Sequence, residues 1–431
     1  MFEKFIAEQN PHWRNVPLEA GYLREVTTEL KKFMSARQIV ALVGIRRCGK
    51  STVAKQIINH LLHDKKVKPE NILFLNLESP LLARYKTDPA NLQRIYEEYL
   101  AALNPGGKTY VFLDEVQFFS DWQVFVKSLY EKGGVKFFVT GSNSRLLSSE
   151  MATILSGRSI TKNISPFSFR EVLKVKGLNV ERKMDAAANE AKVVRFFRNY
   201  LKTGGFPEVV LEKSKELGKE ILTNYYKNIL YQDIVPRFEV KKMREIENLL
   251  LYLFSNIGQD YSYNSLGKYL KIQDKTVKEY ISFFEKSFLL FEVSNYQYSI
   301  KKQENYPKRS YSADNGFINV VSFSFSENFG RFLENSVFIA LLAKGKEIFY
   351  HREKFECDFL VKEKTKIIEA IQVTKELALT NEKRELGGLL EAMEKYKLKT
   401  GFILTENQEE ERRIGNKRIH IVPVWKWLLE K

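Results

Sequence analysis

Cysteine is almost absent from this chain of 431 residues: Cys48 and Cys357 are the only two. That is too few for a disulfide framework or a four-thiolate zinc site. Long apolar runs are missing as well. Stretches such as Ile39–Val43 and Val111–Leu113 fall far short of the roughly 18 residues that a membrane-spanning helix needs, so no membrane partner is expected. Glu3 and Glu8 interrupt the N-terminal segment where a secretory signal needs a continuous apolar core. The expected compartment is the cytoplasm. Neither an internal repeat nor a low-complexity segment is visible.

What the chain does have is a globular balance, 44% apolar and 28% charged residues, and length enough for about two to four domains. Its 69 basic against 53 acidic residues leave a net charge of +16. Such an excess suits an anionic partner, nucleic acid first or an anionic lipid surface second. The competing reading is a lysine-rich chain whose charge concerns only solubility.

Periodicity divides the sequence. Residues 1–38 read as a helical lead-in. Ile39–Val43 is a buried strand, followed by a glycine-bearing loop and a helical stretch, Ser51–His63. Asn71–Leu77, Thr109–Leu113 and Val135–Thr140 read as further strands alternating with helices, the signature of a parallel sheet. This α/β domain is expected over 39–175, and the polar, alanine-rich tract Val180–Lys192 separates it from the rest of the chain. A helical lid or linker region over 176–240 comes next, then helices and a hairpin over 241–328. A second, smaller α/β unit over 329–431 has strands around Ile348–His351, Phe355–Val361, Ile367–Val373, Gly401–Leu404 and Arg418–Val422 and a helix at 381–397. The expected fold class is therefore multidomain α/β.

The strongest chemical signal runs from Gly44 through Ile45, Arg46, Arg47, Cys48, Gly49, Lys50 and Ser51 to Thr52. It fits the G-x-x-x-x-G-K-[ST] phosphate-binding loop and lies between a strand and a helix, the context that gives the motif meaning. Gly44 and Gly49 would let backbone N–H groups close around phosphates, and the helix start adds its positive dipole end. Lys50 would reach the β- and γ-phosphates, and Ser51 would offer a hydroxyl to Mg2+. The strand Thr109–Leu113 ends in Asp114 and Glu115. Asp114 is the expected second metal residue and Glu115 the expected group that polarises the attacking water. Gln117 reads first as a solvated loop glutamine and second as an assistant to the site. Ser142 or Asn143, at the end of the next strand, is a candidate γ-phosphate sensor, with a simple turn as the competing reading. Arg158 is a candidate for stabilising transition-state charge, in cis or for a neighbouring subunit; an ordinary surface arginine is the alternative.

Gly44–Thr52, Asp114-Glu115-Val-Gln117, Thr140-Gly-Ser142, Ser156-Gly-Arg158 and Pro166-Phe-Ser-Phe-Arg-Glu171 together resemble the AAA+ domain of bacterial and archaeal ATPases related to the STAND group. Gly204-Gly-Phe-Pro207, Tyr231-Gln-Asp-Ile234 and Gly330-Arg-Phe-Leu-Glu-Asn335 resemble recurring patches of the C-terminal part of those proteins, so the resemblance covers nearly the whole chain. It implies ATP and Mg2+ as cofactors and an ATPase that converts ATP and water to ADP and phosphate. A GTPase is not supported. The nearest string to an Asn-Lys-x-Asp base reader, Asn381-Glu-Lys383, opens a predicted helix and lacks the final Asp.

Two later segments carry weaker signals. Tyr263–Leu270 and Lys275–Lys286 have helix-turn-helix spacing, with Val277, Tyr280, Ile281, Phe284 and Phe288 on one face and Lys275, Thr276 and Lys278 exposed near the second helix's start. Leu289–Val293 and Lys308–Tyr311 would complete a winged helix whose tip bears Lys301, Lys302, Lys308 and Arg309, phosphate contacts for DNA. The alternative is a structural or protein-binding lever, with Tyr296, Tyr298, Tyr306 and Tyr311 covering a core. The last unit resembles the PD-(D/E)XK nuclease core, with Glu334 on a helix, Asp358 in a strand, and Gln372 and Thr374 at the positions where an acid and a lysine are needed. Glu369 and Lys375 are out of phase on their strand. A degenerate, non-cleaving domain is therefore expected, with His351 as a packed strand histidine. The reading preferred from sequence is an ATPase coupled to nucleic-acid binding. A nucleotide-gated switch acting on a protein partner is the main alternative, and an ATP-controlled nuclease is a third. Homo-oligomerisation is left open.

Overall fold

The computed structural model describes residues 2–142, 157–322 and 329–430. Asn143 and Ser156 of the motifs above lie outside the described residues. The chain folds into two compact units, Met1–Ser165 and Pro166–Lys431.

In the first unit, apolar and β-branched runs form β1 (Ile39–Val43), β2 (Ile72–Asn76), β3 (Thr109–Asp114) and β4 (Val135–Gly141), joined by a further strand, β5 (Ser159–Asn163). Among the described residues they make one sheet in the order β2-β3-β4-β1-β5, with every pairing parallel. All five residues of β1 are buried, as expected for a strand covered on both faces. The crossovers are the helices Lys50–His63, Ala90–Leu103 and Trp122–Lys132. Each packs an apolar stripe inward, such as Val53, Ala54, Ile57, Ile58 and Leu61 in the first. Because β4 lies between β1 and β3, the C-terminal ends of β1 and β3 stand about 10 Å apart with the end of β4 between them.

β5 differs from the sequence expectation. Ser-Ile-Thr-Lys-Asn has no apolar run, and it is a strand because it pairs with β1 from Ile39↔Ser159 to Val43↔Asn163. The lead-in is helical at Glu3–Gln9 and Glu25–Leu30. From the end of the first helix onward, side chains cover the open edge of β2. Asn10 Oδ1 accepts from Phe74 N at 2.6 Å and its Nδ2 donates to Phe74 O at 2.9 Å. Trp13 Nε1 donates to Ile72 O at 2.8 Å, and Gln9 Oε1 accepts from Asn76 N at 2.6 Å. An edge that would otherwise expose unpaired amides is thereby closed.

The second unit begins with the helix Phe169–Val175, started by a Ser168/Glu171 capping box. The tract expected to be a separator is instead occupied by the helices Lys183–Ala188 and Glu190–Thr203. Alanine-rich polar sequence favours helix as readily as linker. Gly205 then packs so closely that a Cβ there would stand 2.2 Å from Phe167 O. The helices Met243–Ser255, Tyr263–Leu270 and Asp274–Lys286 precede an antiparallel pair, β6 (Leu290–Ser294) and β7 (Lys308–Ser312).

The strands β8 (Glu347–Arg352), β9 (Glu356–Glu363), β10 (Lys366–Val373), β11 (Thr400–Thr405), β12 (Glu410–Ile414) and β13 (Lys417–Pro423) form a mixed sheet in the order β12-β13-β11-β10-β9-β8. Its core packs Leu360, Ala370, Ile403 and Ile419 against Leu389, Ala392 and Met393 of the helix Glu382–Lys395. β12, an edge strand of charged residues, carries no apolar alternation and was not expected.

Candidate functional site

The loop after β1 curls at two positions where only glycine fits. Gly44 has φ +154°, and a Cβ there would lie 2.1 Å from Ile164 O; Gly49 has φ +102°, and its Cβ would lie 3.0 Å from Arg24 Nη1. Ile45 and Cys48 are buried, Arg46 is half-buried and ion-pairs with Glu78 at 2.5 Å, and Arg47 is exposed. Burial pushes the Cys48 thiol up, so it is a protonated packing group. Arg24 braces the loop from the lead-in, donating to Cys48 O at 2.9 Å and Ser165 O at 2.7 Å. Nothing in the local sequence singles out Arg24 or Glu78, because both reach the loop through long-range packing.

Lys50, Ser51 and Thr52 open the helix Lys50–His63, so the loop backbone and the helix N-terminus face the same place. Lys50 is 3% exposed. Its Nζ donates to Gly44 O at 3.3 Å and Ile45 O at 3.2 Å and ion-pairs with Glu115 Oε1 at 3.3 Å. Burial works against the Lys50 charge, but Glu115, with Cys48 and Asp114 behind it, outweighs burial and the net shift is upward. Burial likewise disfavours the Glu115 carboxylate, and Lys50 and Gln117 more than compensate, leaving its pKa lowered. Both partners therefore stay charged near neutral pH.

Asp114 sits at the end of β3, where Ser51 Oγ donates to Oδ1 at 3.0 Å and Thr140 Oγ1 donates to the same oxygen at 2.6 Å. Burial and the Glu115 charge push its carboxyl up to about 6, against those two hydrogen bonds and Lys50. Thr140, at the end of β4, also accepts from Glu115 N at 2.9 Å. It thereby links the two carboxylate residues, a role its place in the sequence did not announce. Glu115 itself is left-handed, φ +54°, a conformation that costs a non-glycine residue energy and is held here by its surroundings. Gln117 is not a solvated loop side chain. Its Nε2 donates to Glu115 Oε2 at 2.5 Å and to Ser142 Oγ at 3.1 Å. Ser142 is buried beside this network.

The donor set suits a nucleotide with its metal. Ser51 and Asp114 offer adjacent hard oxygens of the kind Mg2+ prefers, and the glycine-lined loop leaves backbone N–H groups for phosphate.

Arg158 requires a correction. It immediately precedes β5, and its carbonyl accepts from Ile39 N at 2.7 Å, at the opposite end of the sheet from the loop that follows Val43. The five-residue strand places it about 16 Å away, and its guanidinium pairs with Glu131 at 3.3 Å. A role in cis is excluded by that position.

In the second unit, Glu334, Asp358 and Gln372 come together, each already engaged. Tyr311 Oη donates to Glu334 Oε1 at 2.6 Å, and Gln372 accepts from Asp358 N at 3.2 Å and donates to Glu385 at 2.6 Å. Arg309 fills the space between the acids, with Asp260 at 2.8 Å, Glu356 at 2.8 Å and Asp358 at 3.3 Å. Burial and the neighbouring Glu334 raise the Asp358 pKa. Lys308 and Arg309 were expected at an exposed tip; both are buried in β7. The stretch between β6 and β7 is partly helical, Ile300–Asn305, and leaves Lys301 and Lys302 exposed. Tyr296 and Tyr311 are buried, and Tyr298 is exposed. Thr374 Oγ1 donates to Glu376 O, and Lys375 is exposed. His351 is packed as expected, with Nε2 on Glu391 at 2.9 Å. It joins Glu353 and Glu391 in placing three ligand atoms within 4.8 Å of one another, but Lys395 already pairs with Glu353. Among the described residues no helix is long and apolar enough to cross a membrane.

The family described as "AAA domain" matches residues 36–173, and a domain of unknown function, DUF8612, matches residues 194–327. An uncharacterized protein of Methanocaldococcus jannaschii is 35% identical over 408 residues, 91% of this chain and 88% of its own. An uncharacterized protein of Haemophilus influenzae is 29% identical, covering 93% and 97%. The Aeropyrum pernix ORC1 protein in complex with DNA aligns over 69% of this chain and 90% of its own at 12% identity and a TM-score of 0.32, too low to carry an argument. The chain belongs to the family that includes the Methanocaldococcus jannaschii protein, and its phosphate-loop segment matches the AAA domain.

Proposed function

We propose that the first unit binds and hydrolyses Mg-ATP and that this turnover is coupled to nucleic-acid binding elsewhere in the chain. The carrying observation is the buried cluster in which Lys50 meets Glu115 while Ser51 meets Asp114. Loop amides and Lys50 bind the phosphates, and Ser51 and Asp114 would hold Mg2+, which supplies charge neutralisation when bound. Glu115, displaced from Lys50 by the incoming phosphates, takes the proton of the attacking water. Arg158 is assigned to a neighbouring subunit's nucleotide, which implies a homo-oligomer.

The helix pair Tyr263–Leu270 and Asp274–Lys286 with the β6/β7 pair supports a winged-helix reading of 241–328 within a STAND-related architecture, and exposed Lys275 and Lys278 supply its phosphate contacts. A second reading, a nucleotide-gated switch acting on a protein, is favoured by the burial of Lys308 and Arg309, which removes two of the expected DNA-facing cations. Residues 329–431 are read as a nuclease-like core that does not cut, because Arg309 stands where a metal would. ATP turnover of the wild type, Lys50→Ala and Glu115→Gln, with and without duplex DNA, tests the proposal. Stimulation by DNA supports coupling to nucleic acid, and indifference to DNA favours the switch. Mg2+-dependent DNA cleavage by the wild type would overturn the reading of the last segment.

A further inference from the structure

We propose that Gln117 is a positioning residue for the water that attacks the γ-phosphate, its side-chain carbonyl serving as a second acceptor beside the Glu115 carboxylate. The inference rests on the reading of Glu115 as the base.

Gln117 lies in the short turn Val116–Phe118, directly after the left-handed Glu115, which brings its side chain back over the end of the sheet. Both amide protons are committed, one to Glu115 Oε2 at 2.5 Å and one to Ser142 Oγ at 3.1 Å. The reverse amide orientation would set an oxygen against a carboxylate oxygen, so this network fixes which end is nitrogen. The remaining atom, Oε1, has no hydrogen-bond partner among the described residues and is closed to solvent in this arrangement, so a water reaches it only when Glu115 leaves Lys50 for the incoming phosphates. Buried acceptors are nearly always paired, and an exception calls for an explanation. Here the exception shares an amide head with the bond to the proposed base.

A water molecule has two protons to place. Glu115 accepts one and Gln117 Oε1 the other, which leaves a lone pair of the water free to face phosphorus. In the step, the water oxygen bonds to the γ-phosphorus while the bond from phosphorus to the β,γ-bridging oxygen breaks. ADP leaves with that electron pair, one water proton passes to Glu115, and the other stays on the new phosphate. Gln117 neither gains nor loses a proton. Ser142, which would read as a direct phosphate sensor, holds the amide in place.

The test uses the full chain and Gln117→Met, which keeps length and removes the acceptor together with the two donors to Glu115 and Ser142. The expected result is a kcat about 10- to 100-fold lower with KM for ATP and calorimetric affinity for Mg-ADP within about twofold of wild type, the split expected when orientation of the attacking group is lost. Glu115→Gln alone should lower kcat further. In that background Gln117→Met should cost less than about threefold, because both residues act on one water. Equal losses in the two backgrounds would overturn the proposal, as would loss of Mg-ADP affinity in step with kcat. A normal kcat for Gln117→Met with a low one for Glu115→Gln would sink the inference and leave the base assignment standing. A normal kcat for Glu115→Gln would remove both. If Gln117→Met fails to fold, Gln117→Leu is read by the same criteria.

Discussion

Asp314 carries a carboxylate wholly inside the second unit, accepting from Gly205 N at 2.7 Å and Gly316 N at 2.8 Å. Burial pushes its pKa up to about 7, against the pull of those two amides. A folded-state pKa above the unfolded value means that its contribution to stability is fully present below about pH 4 and is lost as pH rises through about 7. Denaturant unfolding across that range should show the slope, and Asp314→Asn should flatten it while lowering stability by about 1–3 kcal/mol, since one amide proton then faces a donor.

Arg309 presents the opposite case, a buried cation that three carboxylates surround. Arg309→Met should destabilise the chain by about 3–5 kcal/mol by leaving the buried Asp358 without its cation, while Asp260 and Glu356 keep Arg352, and the same denaturant series would show it. At this scale the sequence displayed the loop residues and Asp114 and Glu115, because their spacing is local. It did not display Arg24 or Glu78, whose partners are brought in by folding, it showed Thr140 in a motif without its role, and it misplaced Arg309 and Gln117 for the same reason.

Among elements, the edge of β2 shows how much a lead-in can matter. Asn10 is fully buried and satisfies both the N–H and the C=O of Phe74. Asn10→Ala should cost about 2–4 kcal/mol, roughly the penalty for two buried backbone groups left without partners. A thermal midpoint unchanged from wild type would contradict that account. The central strands were legible because they are buried on both faces and so read as unbroken apolar runs. β5 and β12 were not legible, because an edge strand needs only a neighbour to pair with and carries whatever side chains solvent permits. The hairpin expected to end in a basic tip instead turns through the helix Ile300–Asn305 and buries Lys308 and Arg309. Local charge cannot reveal that acids from Asp260 to Asp358 will collect around β7.

For the whole molecule, the strand–helix alternation identified the parallel sheet, and the order β2-β3-β4-β1-β5 explains the site. The inserted β4 brings Thr140 and Ser142 between the phosphate loop and the Asp114–Glu115 pair. The pairing of β5 with β1 puts Arg158 at the far end of the sheet from the phosphate loop, beside Glu131. If Arg158 serves a neighbouring copy as proposed, specific turnover should rise with protein concentration, and turnover independent of concentration would count against that role. The central claim is that the first unit hydrolyses ATP through Lys50 and Glu115. The most direct test is steady-state ATP turnover of wild type, Lys50→Ala and Glu115→Gln, read beside Mg-ADP binding. Both variants should fall by at least about 100-fold, with binding lost in Lys50→Ala and kept in Glu115→Gln. Wild-type turnover by Glu115→Gln would contradict the account.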